Sequence, residues 1–249
     1  MGYIVAENVT KRYGDIHALK DVSFEINEGE FVVVLGQSGA GKSTLLRILN
    51  GLTTPTSGSL SIGGETVSGR RNDVGMVFQQ HYVIDQLSAY DNALTGALNR
   101  TSFLRSLFRM YATEDKQEAL RALETVGLLD EASQRVDNMS GGQQQRVGIA
   151  RALVQKPQLL LADEPVASLD PGSAESVMGY IKMAAAERNL TTIASLHQVN
   201  LSRQFGERFL GMRDGELVFD GYIDDLTTDV IDDIYGDIET EAIRTGAHA

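Results

Sequence analysis

The stretch from Phe31 to Leu52 constrains the fold most. Phe31–Leu35 has the sequence FVVVL, a continuous apolar and mostly β-branched run that is typical of a strand buried on both faces of a parallel sheet. The next eight residues, GQSGAGKS, match the pattern G-x-x-x-x-G-K-[ST], and Ser43–Leu52 is apolar at helical spacing. Glycines let backbone N–H groups surround a phosphate, and a helix N-terminus adds partial positive charge. The sequence therefore predicts a strand, a phosphate-binding loop and a helix; the alternative is a Gly-rich turn without a ligand.

A second predicted apolar strand ends in two acidic residues that could act together with the phosphate-binding loop. Leu159–Ala162 is fully apolar and is followed directly by Asp163 and Glu164. Ligands gather at the carboxyl ends of parallel strands, so Asp163 can hold Mg²⁺ and Glu164 can act as a general base towards water. Alone, such a pair of acids is often only a strand end. Together with the loop, in which Lys42 would reach the β/γ-phosphates and Ser43 would bind Mg²⁺, it indicates a nucleotide site.

Strand and helix patterns alternate along the chain. This order favours an α/β fold with a mostly parallel sheet, into which a helical block near residues 88–155 is inserted. A tight turn at Asp214-Gly215 predicts a hairpin. The further predicted strands are Ile4–Tyr13, Asp21–Ile26, Gly58–Ile62, Val74–Phe78, Thr191–Leu196, Phe209–Met212 and Leu217–Phe219, and the helical stretches are Ser88–Val126, Val147–Val154 and Ser173–Arg188.

Composition excludes several classes of function. The 249 residues include no cysteine, which excludes disulfides, thiol catalysis and cysteine-bound metals. With 22 Lys and Arg against 34 Asp and Glu, the net charge of −12 disfavours a free-standing nucleic-acid binder. No apolar run approaches the roughly 20 residues that a membrane span requires, and the first residues lack the pattern of an export signal.

The acidic excess is concentrated near the C-terminus. Residues 222–249 carry eight acids and only Arg244 as a base, a net −7 that leaves −5 for the rest of the chain. We interpret this segment as a solvated helix and tail, with a regulatory or ion-handling role as the alternative.

A third motif specifies the class of nucleotide-binding protein. Met139–Arg146 has the sequence MSGGQQQR and precedes a helical stretch. Ser140 is a suitable N-cap, and Gly141 and Gly142 allow backbone amides to approach an anion. In isolation it would be a flexible cap. Between the phosphate loop and the Asp-Glu strand end, it resembles the signature motif of ATP-binding cassette (ABC) ATPases, although Met139 replaces the more usual leucine.

Other positions match that family in order. Tyr13 lies where the family stacks adenine, and Gln79 where a glutamine links the core to the helical subdomain. Ala167–Asp170 matches the D-loop, and His197 the switch histidine. The alternative interpretations are a strand aromatic for Tyr13, a surface amide for Gln79 and a core histidine for His197.

The resemblance implies an α/β P-loop NTPase fold, the ABC cassette, with an N-terminal antiparallel β subdomain and an inserted α-helical subdomain. We expect one cassette over residues 1–236, with a core at about 1–87 and 157–221, a helical subdomain at about 88–156 and a flexible acidic tail at 237–249. The implied catalytic residues are Glu164, His197 and Gln79, and the implied Mg²⁺ ligands are Ser43, Gln79 and Asp163. The implied ATP contacts are Tyr13, Gly36, Gln37, Ser38, Gly39, Ala40, Gly41, Lys42, Ser43, Thr44, Ser140, Gly141, Gly142, Gln143 and Asp170.

The family also implies partners. Two cassettes would form a homodimer in which Ser140–Gly142 of one chain contacts the γ-phosphate bound by the loop of the other. Hydrolysis would then open the dimer and drive separate integral-membrane permease subunits, docked near Gln79 and the inserted helices. We expect an indirect link to a substrate-binding protein, a location on the cytoplasmic face of the cell membrane and no nucleic-acid partner.

Several stretches resemble the phosphonate-import ATPases within this family. They include Arg100–Phe108, which could instead be a basic amphipathic helix with Arg100, Arg105 and Arg109 solvated, and Leu226–Gly236. The resemblance implies uptake of phosphonate or a related phosphorus oxyanion. Two alternatives stay open, an importer ATPase for another anion and a soluble ABC ATPase of the Fe–S assembly type. The further matching stretches are Val77–His81, Ala162–Pro171 and Ser195–Val199.

Overall fold

The computed structural model describes residues 2–79, 82–102 and 110–236. They form two compact units. The first contains the described residues up to Arg71 and from Ile193 onwards, and the second contains those from Asn72 to Thr192. The predicted division into a core and a helical subdomain has different bounds and stays a prediction. The predicted tail, 237–249, lies outside the described residues.

An antiparallel sheet in the first unit confirms the predicted N-terminal β subdomain. It has four strands in the order β2-β1-β4-β5. On β1, Ile4 pairs with Ile26 on one side and with Ile62 on the other, and all three side chains are buried. The second strand is longer than predicted, because it begins at Ile16 rather than Asp21. The strands are β1 (Ile4–Tyr13), β2 (Ile16–Ile26), β4 (Ser57–Ile62) and β5 (Glu65–Thr66).

A second set of strands in the first unit carries the predicted phosphate loop. The central strand β3 (Phe31–Leu35) is buried at all five positions, as its sequence predicts. It runs parallel to β9 (Arg208–Arg213), with Val33 opposite Phe209, and β9 forms the predicted antiparallel hairpin with β10 (Glu216–Tyr222). The strand order is β10-β9-β3-β8, and the boundary between the units falls within β8 (Thr191–Ser195). The helices of this unit are α1 (Lys42–Leu49), α6 (Val199–Phe205) and α7 (Thr228–Tyr235).

The described residues of the second unit form two parallel strands and four α-helices. Strand β6 (Val74–Val77) lies parallel to β7 (Leu159–Asp163), with Met76 opposite Leu161. Helices α2, α4 and α5 begin at the side-chain caps Ser88, Ser140 and Asp170. Part of the predicted helical stretch Ser88–Val126, at 103–109, lies outside the described residues. The helices are α2 (Ala89–Leu94), α3 (Thr113–Thr125), α4 (Gly141–Val154) and α5 (Pro171–Arg188).

The length and apolar character of the helices decide whether any of them could cross a membrane. Among residues 2–79, 82–102 and 110–236, no helix combines the length and apolar character needed to cross a bilayer.

One partly buried guanidinium joins three parts of the first unit. Arg208, at the start of β9, makes two parallel bonds to Asp220 on β10, each of 2.9 Å. It also donates to Glu30, directly before β3, at 2.9 Å. Hydrogen bonding to Asp220 raises the pKa of Arg208 above its usual range, and Glu30 adds to the effect. Bidentate contacts of this kind are the strongest ion pairs in proteins.

Replacing Arg208 by Met should destabilise the protein by about 1–3 kcal/mol, because the partly exposed carboxylates of Glu30 and Asp220 lose their charge-assisted hydrogen bonds. Urea denaturation followed by circular dichroism measures the change. The matched control is Lys20→Met, which breaks the pair with Glu216 at 3.3 Å; the side chains there are 39% and 56% exposed. That control should cost roughly 0–1 kcal/mol. Equal losses in the two variants would contradict the special role of Arg208.

Candidate nucleotide-binding and catalytic site

The loop after β3 depends on three glycines with left-handed backbone. Their φ angles are +147° at Gly36, +84° at Gly39 and +104° at Gly41. A Cβ on Gly36 would lie 2.3 Å from the Met212 carbonyl oxygen, and one on Gly41 would lie 2.5 Å from that of Ala18. A Cβ on Gly39 would meet nothing within 4 Å. The loop therefore packs closely against neighbouring backbone at Gly36 and Gly41 and has free space beside Gly39, as suits a loop whose backbone binds phosphate.

Lys42 is held against the loop that precedes it. Its side chain is only 3% exposed, and Nζ donates to the carbonyl oxygens of Gly36 at 2.7 Å and Gln37 at 2.9 Å. The same Nζ lies 3.3 Å from Nδ1 of His197, the residue predicted as the switch histidine. The structure thus brings together two predicted site residues that are separated by 155 positions in the sequence.

Tyr13 lies at the end of β1 with its ring 48% exposed. The ammonium of Lys11 lies 5.0 Å from the ring centroid, within cation–π distance, and is held by the Thr54 carbonyl at 2.7 Å. An aromatic ring that served only to fill the sheet core would be buried. The exposed ring favours the predicted role of Tyr13 in stacking a base.

The two predicted carboxylates follow each other at the end of β7. Asp163 is the last residue of the strand and is buried, while Glu164 is partly exposed. The backbone of Glu164 is left-handed, with φ +48°. This conformation is uncommon outside glycine, and strained residues of this kind cluster at functional sites.

Gln79 is exposed and follows β6 after one residue. The carbonyl of the intervening Phe78 accepts a 3.2 Å hydrogen bond from Nε2 of Gln145 on α4, whose side chain is fully buried. Gln145 was not among the predicted site residues. The available signal is its helical spacing, because Ile149 and Ala152 follow it on the same buried face.

The signature motif and the D-loop line one cleft of about 410 Å³ in the second unit. Ser140 caps α4: its Oγ accepts from Gln143 N at 3.3 Å, and the Gln143 side chain accepts from Ser140 N at 2.9 Å. A Cβ on Gly142 would lie 3.3 Å from Ser173, so the helix approaches α5 closely. The cleft thus brings together three predicted residues of the signature motif, Ser140, Gly142 and Gln143, with Asp170.

Asp170 has a structural role besides the predicted nucleotide contact. Its carboxylate accepts a 3.0 Å hydrogen bond from Ser173 N and caps α5. Hydrogen bonds from the side chain and the backbone of Ser173 hold the pKa of Asp170 below its usual range. Helix α5 begins two residues before its predicted start because Asp170 caps it and Pro171 suits the first helical position.

The donor atoms at the predicted metal ligands suit magnesium. Ser43 offers a hydroxyl in the first turn of α1, and Asp163 and Gln79 offer a carboxylate and an amide oxygen in the second unit. Mg²⁺ prefers hard oxygen donors and takes few of them from the protein when phosphate oxygens complete its shell.

Comparison with known proteins decides the family. The sequence model described as "ABC transporter" matches residues 19–167, more than half of the chain. The chain belongs to the ABC transporter family. This confirms the assignment made from the sequence motifs and the α/β fold class predicted with it.

Individual members of the ABC transporter family match over most of their length. A relative from Halobacterium salinarum, named phosphonates import ATP-binding protein PhnC, is 70% identical over 249 residues, covering all of this chain and 89% of the relative. A protein of the same name from Thiobacillus denitrificans is 48% identical, covering 94% of this chain and 93% of the relative.

Solved cassettes of the family share the fold. An ATP-binding cassette described as a dimer in a post-hydrolysis state, bound to ADP and Pi, has a TM-score of 0.75 and 34% identity, covering 88% of this chain and 98% of that one. A nucleotide-free cassette from an ABC transporter has a TM-score of 0.81 at 24% identity, covering 98% and 99%, and supports the fold alone.

Gln145→Met should destabilise the protein by about 1–3 kcal/mol, because the Phe78 carbonyl loses its buried donor while the side-chain volume is nearly kept. Thermal unfolding measures the loss. Gln158→Met is the matched control, since Gln158 is exposed and directly precedes β7; it should be close to neutral. Unchanged stability of Gln145→Met would show that the amide is dispensable.

Proposed function

We propose that this chain is the ATP-hydrolysing subunit of an ABC importer for phosphonates or a closely related phosphorus oxyanion. The observation that carries the proposal is the 70% identity, over the whole chain, to a protein named phosphonates import ATP-binding protein. The glycine-rich loop in the first unit, and the strand-end carboxylates and the signature cleft in the second, each support the ATPase part.

ATP would bind with its phosphates in the loop at Gly36–Ser43 and its adenine on Tyr13. The ammonium of Lys42 already lies against the loop, where two carbonyls hold it. A γ-phosphate oxygen can replace one of these acceptors with a small movement of the side chain. Little side-chain freedom remains to be lost on binding, which favours affinity.

Hydrolysis would use Glu164 as the general base. Its carboxylate takes a proton from water as the water oxygen attacks the γ-phosphorus, and the bond from phosphorus to the β-γ bridging oxygen breaks to give ADP and phosphate. His197, beside Lys42, would orient the γ-phosphate, and Gln79 would help to position the water. Ser43, Asp163 and Gln79 would hold Mg²⁺, which would supply positive charge to the phosphate oxygens.

The active form would be a homodimer of cassettes. The signature cleft, with Ser140, Gly142 and Gln143 on its wall, would receive the γ-phosphate of the ATP bound by the partner. A related cassette at 34% identity is described as a dimer bound to ADP and Pi, in agreement with this arrangement. ATP would then form part of the interface, so its hydrolysis would release the two cassettes and drive transport.

We place this dimer on the cytoplasmic face of the cell membrane, docked on separate permease subunits near Gln79 and the helices of the second unit. A substrate-binding protein would act on it only through the permease, and no nucleic acid is involved. Among the alternatives, an importer for another anion is the closer one. The reported relatives at 48–70% identity give no support to an Fe–S assembly ATPase.

Glu164→Gln should leave ATP affinity within about twofold and lower the steady-state rate by on the order of 10²–10⁴, because the isosteric amide cannot accept the proton of the attacking water. Phosphate release measures turnover, and size-exclusion chromatography in ATP should show a trapped dimer. Normal steady-state turnover would sink the assignment of Glu164.

Two variants serve as controls for this experiment. Glu187→Gln changes an exposed carboxylate at the end of α5 and should behave as wild type. Lys42→Ala should instead lose nucleotide affinity, which fluorescent ATP titration would show as a rise in the dissociation constant.

The transport assignment is tested by reconstituting the chain with its permease in lipid vesicles. A binding protein loaded with methylphosphonate should stimulate ATP hydrolysis several-fold, and phosphate- and sulfate-loaded forms should stimulate it less. Stronger stimulation by the sulfate-loaded form would show that the transported substrate is another anion and not phosphonate. Failure of every loaded form, with basal hydrolysis intact, would contradict the importer function.

A further inference from the structure

We propose that residues 226–235, here called the C-terminal strap, position His197 and that Tyr235 is the residue through which they do so. The inference rests on the role of His197 in the proposed ATPase function. It gives a function to a segment that contains none of the nucleotide-binding motifs. The strap and His197 belong to the same structural unit.

Helix α7 fixes the strap to the first unit. Thr227 caps the helix by accepting from Val230 N at 3.4 Å, and Ile231, Ile234 and Tyr235 form its buried face. Ile234 lies directly over Gly211 of β9, where an added Cβ would come within 2.5 Å of its Cδ1. Helix α7 can approach β9 this closely only because that position carries no side chain. Tyr235 is thereby held in a defined place.

Tyr235 contacts both predicted parts of the nucleotide site in this unit. Its hydroxyl donates to the His197 carbonyl oxygen at 3.2 Å. Its own carbonyl oxygen accepts a hydrogen bond from Nε2 of Gln37, inside the phosphate loop. The side chain is 3% exposed, so neither contact is made at a freely moving surface residue. One residue therefore joins the phosphate loop to the backbone of the switch histidine.

A second contact holds the segment that follows His197. Arg203 on α6 donates from Nη2 to the carbonyl oxygen of Leu226, at the start of the strap, at 2.7 Å. Near the other end of the strap, Arg213 on β9 donates to the Asp233 carbonyl at 2.5 Å. The strap thus fixes His197 at its carbonyl and also fixes the helix that begins two residues after it.

Loss of the hydrogen bond from Tyr235 should change the position of the His197 imidazole and not the affinity for nucleotide. Nδ1 of His197 lies 3.3 Å from Nζ of Lys42, so a shift of the His197 backbone would move the ring relative to the bound γ-phosphate. The loop glycines and Lys42, which would supply the binding energy, do not depend on the Tyr235 hydroxyl. Loss of that hydroxyl should therefore slow hydrolysis and leave binding almost unchanged.

Tyr235→Phe tests this directly, because it removes the hydroxyl and keeps both the ring and the carbonyl that Gln37 contacts. We expect kcat for ATP hydrolysis to fall by on the order of fivefold, the effect of one hydrogen bond, with the dissociation constant for ATP within twofold of wild type. Tyr222→Phe is the matched control, because Tyr222 is exposed at the end of β10. This variant should keep full activity. An unchanged kcat in Tyr235→Phe overturns the proposal, as does a kcat loss matched by an equal loss of affinity.

A double-mutant cycle separates this inference from the proposed function. In a His197→Ala background, Tyr235→Phe should cause no further loss in single-turnover hydrolysis, because the residue acts through His197. A further fivefold loss would show that Tyr235 acts elsewhere and overturn the proposal. Full activity of His197→Ala would instead remove the proposed role of the histidine itself, and with it the basis of the inference.

Imidazole NMR gives a readout independent of activity. The chain has four histidines, so the ¹⁵N-labelled His197 signal can be assigned by its absence in His197→Ala. In Tyr235→Phe, the His197 signal should shift or broaden while that of His17 stays in place. Unchanged His197 signals would show that the strap does not position the ring, whatever the kinetics.

Discussion

The phosphate loop depends on the contact between Gly36 and the carbonyl of Met212. A methyl group at residue 36 would lie 2.3 Å from that oxygen, so the loop can leave β3 beside β9 only without a side chain there. The same strand, β9, carries the ion pairs of Arg208 at its start and contacts Ile234 of α7 through Gly211. The shape of the loop, the stability of the sheet and the location of the C-terminal helix therefore depend on a single strand.

The proposed chemistry is divided between the two structural units. The first carries the residues that would hold phosphate, Lys42 and His197, which are already in contact. The second carries the carboxylates Asp163 and Glu164 and the signature cleft. Several of these residues also bond locally within their own unit: a carbonyl of the loop accepts from Lys42, and Ser140 and Asp170 cap their helices.

The sequence was sufficient to predict elements that have a local signature. The fully buried β3, the glycine loop and the hairpin at Asp214-Gly215 each follow from short patterns, and all were confirmed. The predicted start of β2 was wrong because residues 16–20, with the sequence IHALK, pair with β1 at the edge of the sheet, where the adjacent Ala18 and Leu19 interrupt the apolar–polar alternation that marks a strand.

Contacts between distant segments could not be predicted in the same way. Gln145 and Tyr235 each donate a hydrogen bond to a carbonyl oxygen that is distant in the sequence, 67 residues away for Gln145 and 38 residues away for Tyr235. Neither residue type at either position has a short-range pattern that points to its partner. The early start of α5 is an intermediate case, since Asp170-Pro171 is a helix start that can be recognised in the sequence.

The left-handed backbone of Glu164 has a consequence for the evolution of this site. At φ +48°, valine, isoleucine and threonine would be strained, whereas glycine, asparagine and aspartate fit most easily. The amino acids that fit this turn best therefore include none with the length of glutamate. Drift at this position towards a more relaxed backbone removes the carboxylate or shortens its reach, so the proposed role of Glu164 as a base requires continuous selection against the conformational preference of the chain.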